Sequence, residues 1–216
     1  MASRSRGKRS RANIDLQNLI RQKLDSSASF TIVRTWSSRP GDDRSQAIVV
    51  GAVLEQALER AIATHFVLND NEIESLFIDQ AEGNISNFAV KIKLAYALGV
   101  IETIVRKELT LIKNIRNVFA HTKADISFAT PAIIKACAEL TLSPDLLGSS
   151  HLDAKLRFAK SVEVIYLYFA HIDLPGFNPP LRCSTSEFYK SVFLHHDATA
   201  RLVKTLKEAS EPSQDR

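Results

Sequence analysis

The chain has 216 residues, 45% of them hydrophobic and 24% charged, a balance that sustains a buried core and excludes a disordered or fibrous polymer. No apolar run reaches the ~20 residues of a membrane-spanning helix, which excludes an integral helical membrane protein. The formal net charge is +4, yet five of the 28 Lys and Arg (Arg4, Arg6, Lys8, Arg9 and Arg11) lie in the first 11 residues, and the other 23 face 24 acidic residues.

Residues 1–12 read as a disordered basic arm, able to attract phosphate without sequence preference. The body behind it is near neutral and gives no ground for a strongly basic face. Residues 13–43 read as an N-terminal helix and loop. Ile14, Leu16, Leu19, Ile20 and Leu24 have helical spacing, and Phe30-Thr31-Ile32-Val33 suggests a short extended piece. Asp42 or Asp43 is placed to N-cap a long helix, with apolar positions running from Ile48 to Phe66 at steps of three and four. Glu55 and Glu59 make one of its faces acidic, with Arg60 or Lys91 as candidate partners.

Asn69-Asp70-Asn71 breaks this helix, and a short helix over 72–77 and a turn at Gly83-Asn84 follow. Ser86 is the expected N-cap of a helix over 88–98, which Gly99 stops. A second long helix over 100–120 points Ile101, Ile104, Val105, Leu109, Ile112, Ile115 and Phe119 inward. Thr130-Pro131 starts a helix to 140, since proline suits the first turn. Ser150 or Asp153 leads into a helix over 152–172. Residues 174–180 form a break, a terminal helix spans 186–209, and 211–216 form a disordered tail. The expected fold is all-α: a compact single-domain bundle of about six to eight helices over 44–210.

Polar chemistry concentrates at the end of the second long helix. Asn114, Asn117 and His121 stand at i, i+3 and i+7 and share a face, with Lys113 and Arg116 beside it. Arg116 and His121 are five residues apart and diverge by roughly 140° on a straight helix. Two chains about a two-fold axis would bring such pairs together in one cleft. A guanidinium beside an imidazole is the equipment of metal-free RNA cleavage, one group moving the 2′-hydroxyl proton and the other holding phosphate charge. The structural alternative pairs Arg116 with Glu108 or Glu55 and leaves His121 at the helix C-terminus, where a cationic ring is favoured.

Elsewhere the signals are sparse. His195-His196-Asp197 lacks further ligands in sequence for a metal site. Trp36 is expected to pack the loop before the long helix. Cys137 and Cys183 lack metal-ligand spacing and are too few for a disulfide framework, so a reduced, cytoplasmic compartment is expected. With no phosphate-cradling glycine loop, Ser-His-Asp spacing or dinucleotide fingerprint, no cofactor and no metal are expected.

Two resemblances rest on these residues. The spacing Arg116-Asn117-x-x-x-His121 resembles the motif of HEPN-domain proteins, helical dimers that include metal-independent ribonucleases. That likeness implies catalysis by Arg116, Asn117 and His121. A longer stretch comprises residues 50–59, Leu76-Phe77, residues 86–101 and residues 115–121. In order and spacing it is similar to the mannitol operon repressor family over about 45–140, except that Asn84 stands where the family's turn has proline. This second resemblance implies a non-enzymatic, all-helical regulator. It is expected to be a homodimer acting through a partner protein or nucleic acid, without membrane contact. Lys113, Asn114, Arg116, Asn117 and His121 form the candidate contact face.

Overall fold

The computed structural model describes residues 26–36, 41–77, 85, 87–142, 153–172, 187–188 and 190–197. The basic arm, the expected helix over 14–24, the Gly83-Asn84 turn and the break at 174–180 lie outside them. Seven helices are bounded within the described residues: α1 Ser26–Thr35, α2 Asp43–Ala63, α3 Asp70–Phe77, α4 Phe88–Ala97, α5 Thr103–His121, α6 Pro131–Ala138 and α7 Ala154–His171. Residues 187–188 and 190–197 are also helical, and no strand occurs among the described residues. The all-α expectation holds.

Helix α2 packs against α1, α4, α5 and α7, while α5 also meets α4, α6 and α7. The stripe that drives α2 inward is Ala47, Val50, Val53, Leu54, Ala57, Leu58, Ala61 and Ile62, all buried. Its start is set by Asp42, whose carboxylate accepts from the Arg44 and Ser45 amides. The Ser45 amide, followed by its hydroxyl, holds that carboxyl below the usual carboxylate range. At the far end of α4 the expected stop is real: Gly99 has φ +72, a left-handed conformation that favours glycine.

Four local expectations are corrected. The Phe30–Val33 segment is helical, not extended. A β-branched run favours strand only weakly, and here Ser29, Val33 and Trp36 are buried at helical spacing on a helix packed against α7. Trp36 lies edge-on to Phe158 at 5.7 Å and 5.9 Å from Phe128, so it packs the core proper. Helix α4 is capped by Asn87, whose Oδ1 accepts from the Ala89 amide, rather than by Ser86. The helix expected from residue 100 starts at Thr103, because Val100 and Ile101 first complete the turn after Gly99 and are themselves buried.

Candidate functional site

Helix α5 is the most sharply two-sided element of the fold. Val105, Leu109, Ile112, Ile115 and Phe119 are buried at steps of three and four, and the Phe119 ring lies tilted against Phe128 with centroids 4.9 Å apart. The opposite side exposes Thr103, Arg106, Lys107, Thr110, Asn114, Val118 and His121, with Lys113 and Asn117 half-buried among them. The structure thus places Lys113, Asn114, Asn117 and His121 on one outward side, as their spacing predicts.

Arg116 takes a different course. Its stem crosses Gly51 of α2 so closely that a Cβ built on Gly51 would stand 2.7 Å from Arg116 Cγ. Glycine at 51 is what lets α2 and the Arg116 stem approach, at the cost of helix propensity. The guanidinium ends half-buried, with Nη1 donating to Asn117 Oδ1 at 3.1 Å and Nη2 standing 3.9 Å from Glu55. Of the two acids expected for Arg116, Glu55 is the partner and Glu108 is not. Glu55 and Glu59 both accept from Lys91 Nζ, at 3.0 and 3.2 Å, so Lys91 is a cation of that acidic face.

His121 ends α5 exposed, and its ring makes no hydrogen bond among the described residues. The carbonyls beyond the helix end are taken by Arg44 instead, whose Nη1 donates to Thr122 O at 2.7 Å and Nη2 to Ala124 O at 2.6 Å. This cation at the helix C-terminus also opposes the macrodipole. Together with the Gly51–Arg116 contact it sets α2 and α5 antiparallel. Asp43, next to Arg44, accepts from the Phe128 amide and from Lys155 Nζ, each at 3.0 Å. The outward side of α5 therefore rests on a rigid base. The arm residues Arg4, Arg6, Lys8, Arg9 and Arg11 lie outside the described residues.

Several functional-type groups have no local signature in sequence. Glu108 is buried on the inner side of α5 and accepts from the Thr141 and Leu142 amides and the Thr141 and Ser161 hydroxyls, at 2.6 to 3.2 Å. His171 of α7 meets both His195 and His196, with ring centroids at 5.3 Å each, and His171 Nε2 lies 3.1 Å from His196 Nδ1. His171 thus supplies the neighbour that His195-His196 lacked in sequence. No group of three or more His, Cys, Asp or Glu suited to a metal occurs among the described residues. Burial, then His196 and His195, pushes the His171 ring down to about 4. Cys137 is a buried free thiol pushed up to about 12 by desolvation, which keeps it protonated and poorly nucleophilic.

The histidine cluster gives a pH dependence with a defined sign. A ring that binds its proton less well folded than unfolded contributes full stability above its ordinary value of 6.5, and that stability is lost as pH falls toward about 4. The loss is on the order of 3 kcal/mol. Urea unfolding at neutral pH and again near pH 4 is expected to show a markedly smaller difference for His171→Leu than for the native chain. Equal differences for the two proteins would show that His171 is not the group responsible.

No helix among the described residues is long and apolar enough to cross a membrane. Comparison with known proteins adds the following. No curated protein matches the chain. Among solved structures, it is similar to the crystal structure of a possible transcriptional regulator, YggD from Shigella flexneri 2a, at 14% identity and a TM-score of 0.49, with 69% of this chain and 98% of that chain covered. The family model described as mannitol repressor matches residues 41–155, a span that runs from the Asp42 cap through α2, α4 and α5 to the start of α7. That match takes in more than half of the sequence and every residue placed above on the outward side of α5: the chain belongs to the mannitol repressor family.

Proposed function

We propose that this chain is a non-enzymatic regulator that works in the cytoplasm as a homodimer, engaging a partner macromolecule through the outward side of α5. Membership of a repressor family supports the regulatory role. The observation that carries the choice of surface is the division of α5. Its inner side is committed to the core and to the Glu108 hydrogen bonds, whereas Lys113, Asn114, Asn117 and His121 stand together outward. Such a row of hydrogen-bonding groups on a rigid helix is suited to contact rather than to bond cleavage.

The Arg116 geometry argues against the ribonuclease alternative. Catalysis by Arg116, Asn117 and His121, within one chain or across a two-fold axis, needs a guanidinium free to hold a phosphate. Arg116 is instead drawn sideways over Gly51, where Asn117 accepts from its guanidinium and Glu55 stands 3.9 Å away. Transcript profiles of source cells with and without the gene test the regulatory reading. A defined set of transcripts is expected to change and to be restored by the native gene, but not by one encoding Asn114→Ala, Asn117→Ala and His121→Ala. Unchanged profiles would refute it.

A further inference from the structure

The packing register brings two junctions of the chain to one end of the bundle. Helices α2 and α5 are antiparallel, with Gly51 against Arg116 and Arg44 against Thr122. Continued along both helices, that register sets the end of α2 at Ala63 level with the start of α5 at Thr103. The α2–α3 junction therefore lies at the same end as the α4–α5 turn. The Tyr96 hydroxyl, 3.3 Å from Thr103 Oγ1, ties the last turn of α4 to that end.

Four of the nine large apolar side chains exposed among the described residues stand here: Val67 and Leu68 of the α2–α3 junction, and Tyr96 and Leu98 of the α4–α5 turn. Helix α3, which follows Leu68, has no extensive contact with any other described helix. Charge around these residues is divided. Asp70 and Glu72 are exposed beside Val67 and Leu68. Lys93 and Arg106 are exposed beside Tyr96 and Leu98, with Arg106 over the Tyr96 ring at 4.4 Å. None of these four charges forms an ion pair among the described residues.

We propose that two copies of the chain join through this end of the bundle, a step that rests on the homodimeric reading and gives the dimer its surface. An isologous interface needs a self-complementary patch, and this patch has that property. A two-fold axis between the two junctions lays Val67 and Leu68 of one copy on Tyr96 and Leu98 of the other. The same rotation sets Asp70 and Glu72 opposite Lys93 and Arg106, twice per dimer. The apolar residues supply the anchors and the flanking charges fix the register. A foreign partner would need the same order of acid, apolar centre and base, which a second copy carries by symmetry. Helix α5 is about 28 Å long, so this dimer holds Asn114, Asn117 and His121 toward its two far ends, open to a partner macromolecule. It also keeps the Arg116 and His121 of one copy away from those of the other.

The test is sedimentation equilibrium of the full chain over about 1 to 100 μM protomer, where the native chain is expected to dimerise. Val67→Ser combined with Leu98→Ser should weaken association at least about 30-fold. A control, Val118→Ser with Ile134→Ser, removes exposed apolar groups elsewhere and should associate as the native chain does. Two charge variants make the sharpest comparison. Asp70→Lys with Asn71→Lys turns the acidic flank basic while leaving Glu72 on the Asn69 amide. Lys93→Glu with Arg106→Glu turns the basic flank acidic. Each alone should be monomeric, because like charges then face each other across the axis. An equimolar mixture of the two should dimerise to within about tenfold of the native affinity, which misfolded chains would not do.

A native dimer that the variants retain, or a mixture that stays monomeric, overturns this surface and leaves the homodimer standing. Equal weakening by the Val118 and Ile134 control overturns it as well. A native chain that is monomeric throughout overturns the homodimer and this surface together, while the transcript profiles decide the regulatory role separately.

Discussion

Replacing Glu108 by alanine is expected to cost the fold about 3–5 kcal/mol, the largest effect of any single substitution in α5. The carboxylate sits at 3% exposure and gathers four donors from two other parts of the chain. The Thr141 and Leu142 amides belong to the segment after α6, and the Ser161 hydroxyl belongs to α7. Two of these donors, the Leu142 amide and the Ser161 hydroxyl, belong to buried residues that water does not reach in the folded state. Alanine leaves a cavity and strands those donors, so the desolvation cost of each is added to the lost contacts. Glu108→Gln should cost less, because one carbonyl oxygen still accepts, but its amide N–H groups would face donors. Urea unfolding measures both. A loss below about 1 kcal/mol for the alanine variant would mean that the segment after α6 is not held by this carboxylate.

The second large effect is at Lys91, where alanine is expected to lose about 3 kcal/mol. Its ammonium is withdrawn from water and lies between Glu55 and Glu59, with the Phe77 ring at 5.8 Å from Nζ. Without it, two partly buried carboxylates one helical turn apart repel each other on α2. The decisive comparison is the combined variant Lys91→Met, Glu55→Gln and Glu59→Gln. It removes all three charges while keeping volume, and should recover most of the loss. Failure of that combination to recover stability would assign the effect to packing of the lysine stem rather than to charge. Glu55 also faces Arg116, so Lys91→Ala should in addition draw Arg116 further from the outward side of α5.

The parts of the fold that were legible in sequence are those where one helix decides its own fate. Helices α2, α5 and α7 announce themselves because apolar residues recur at three and four over four or more turns, and the Asp42 cap and Gly99 stop obey local rules. Helix α1 is not legible in sequence because Thr31-Ile32-Val33 carries a local strand preference that packing on α7 overrides. The outward set of Asn114, Asn117 and His121 followed from spacing alone.

The fate of Arg116 did not follow from spacing, since it depends on Gly51 arriving from another helix. Glu108 and Ser161, 53 residues apart, and His171 and His196, 25 apart, meet only through tertiary packing. Local charge is hidden from the sequence for a related reason. Charge averaged along a chain says nothing about which acids are buried, and Glu108 is removed from the surface by its own hydrogen bonds.

On the proposed reading the outward side of α5 makes contacts and does no chemistry. This is tested most directly by incubating the purified protein with total RNA in the presence of chelator, beside a His121→Ala variant of matched folding. Intact RNA with both proteins is the result expected of a regulator. Cleavage by the native chain that the variant loses would contradict the account and make Arg116 and His121 a metal-free nuclease site.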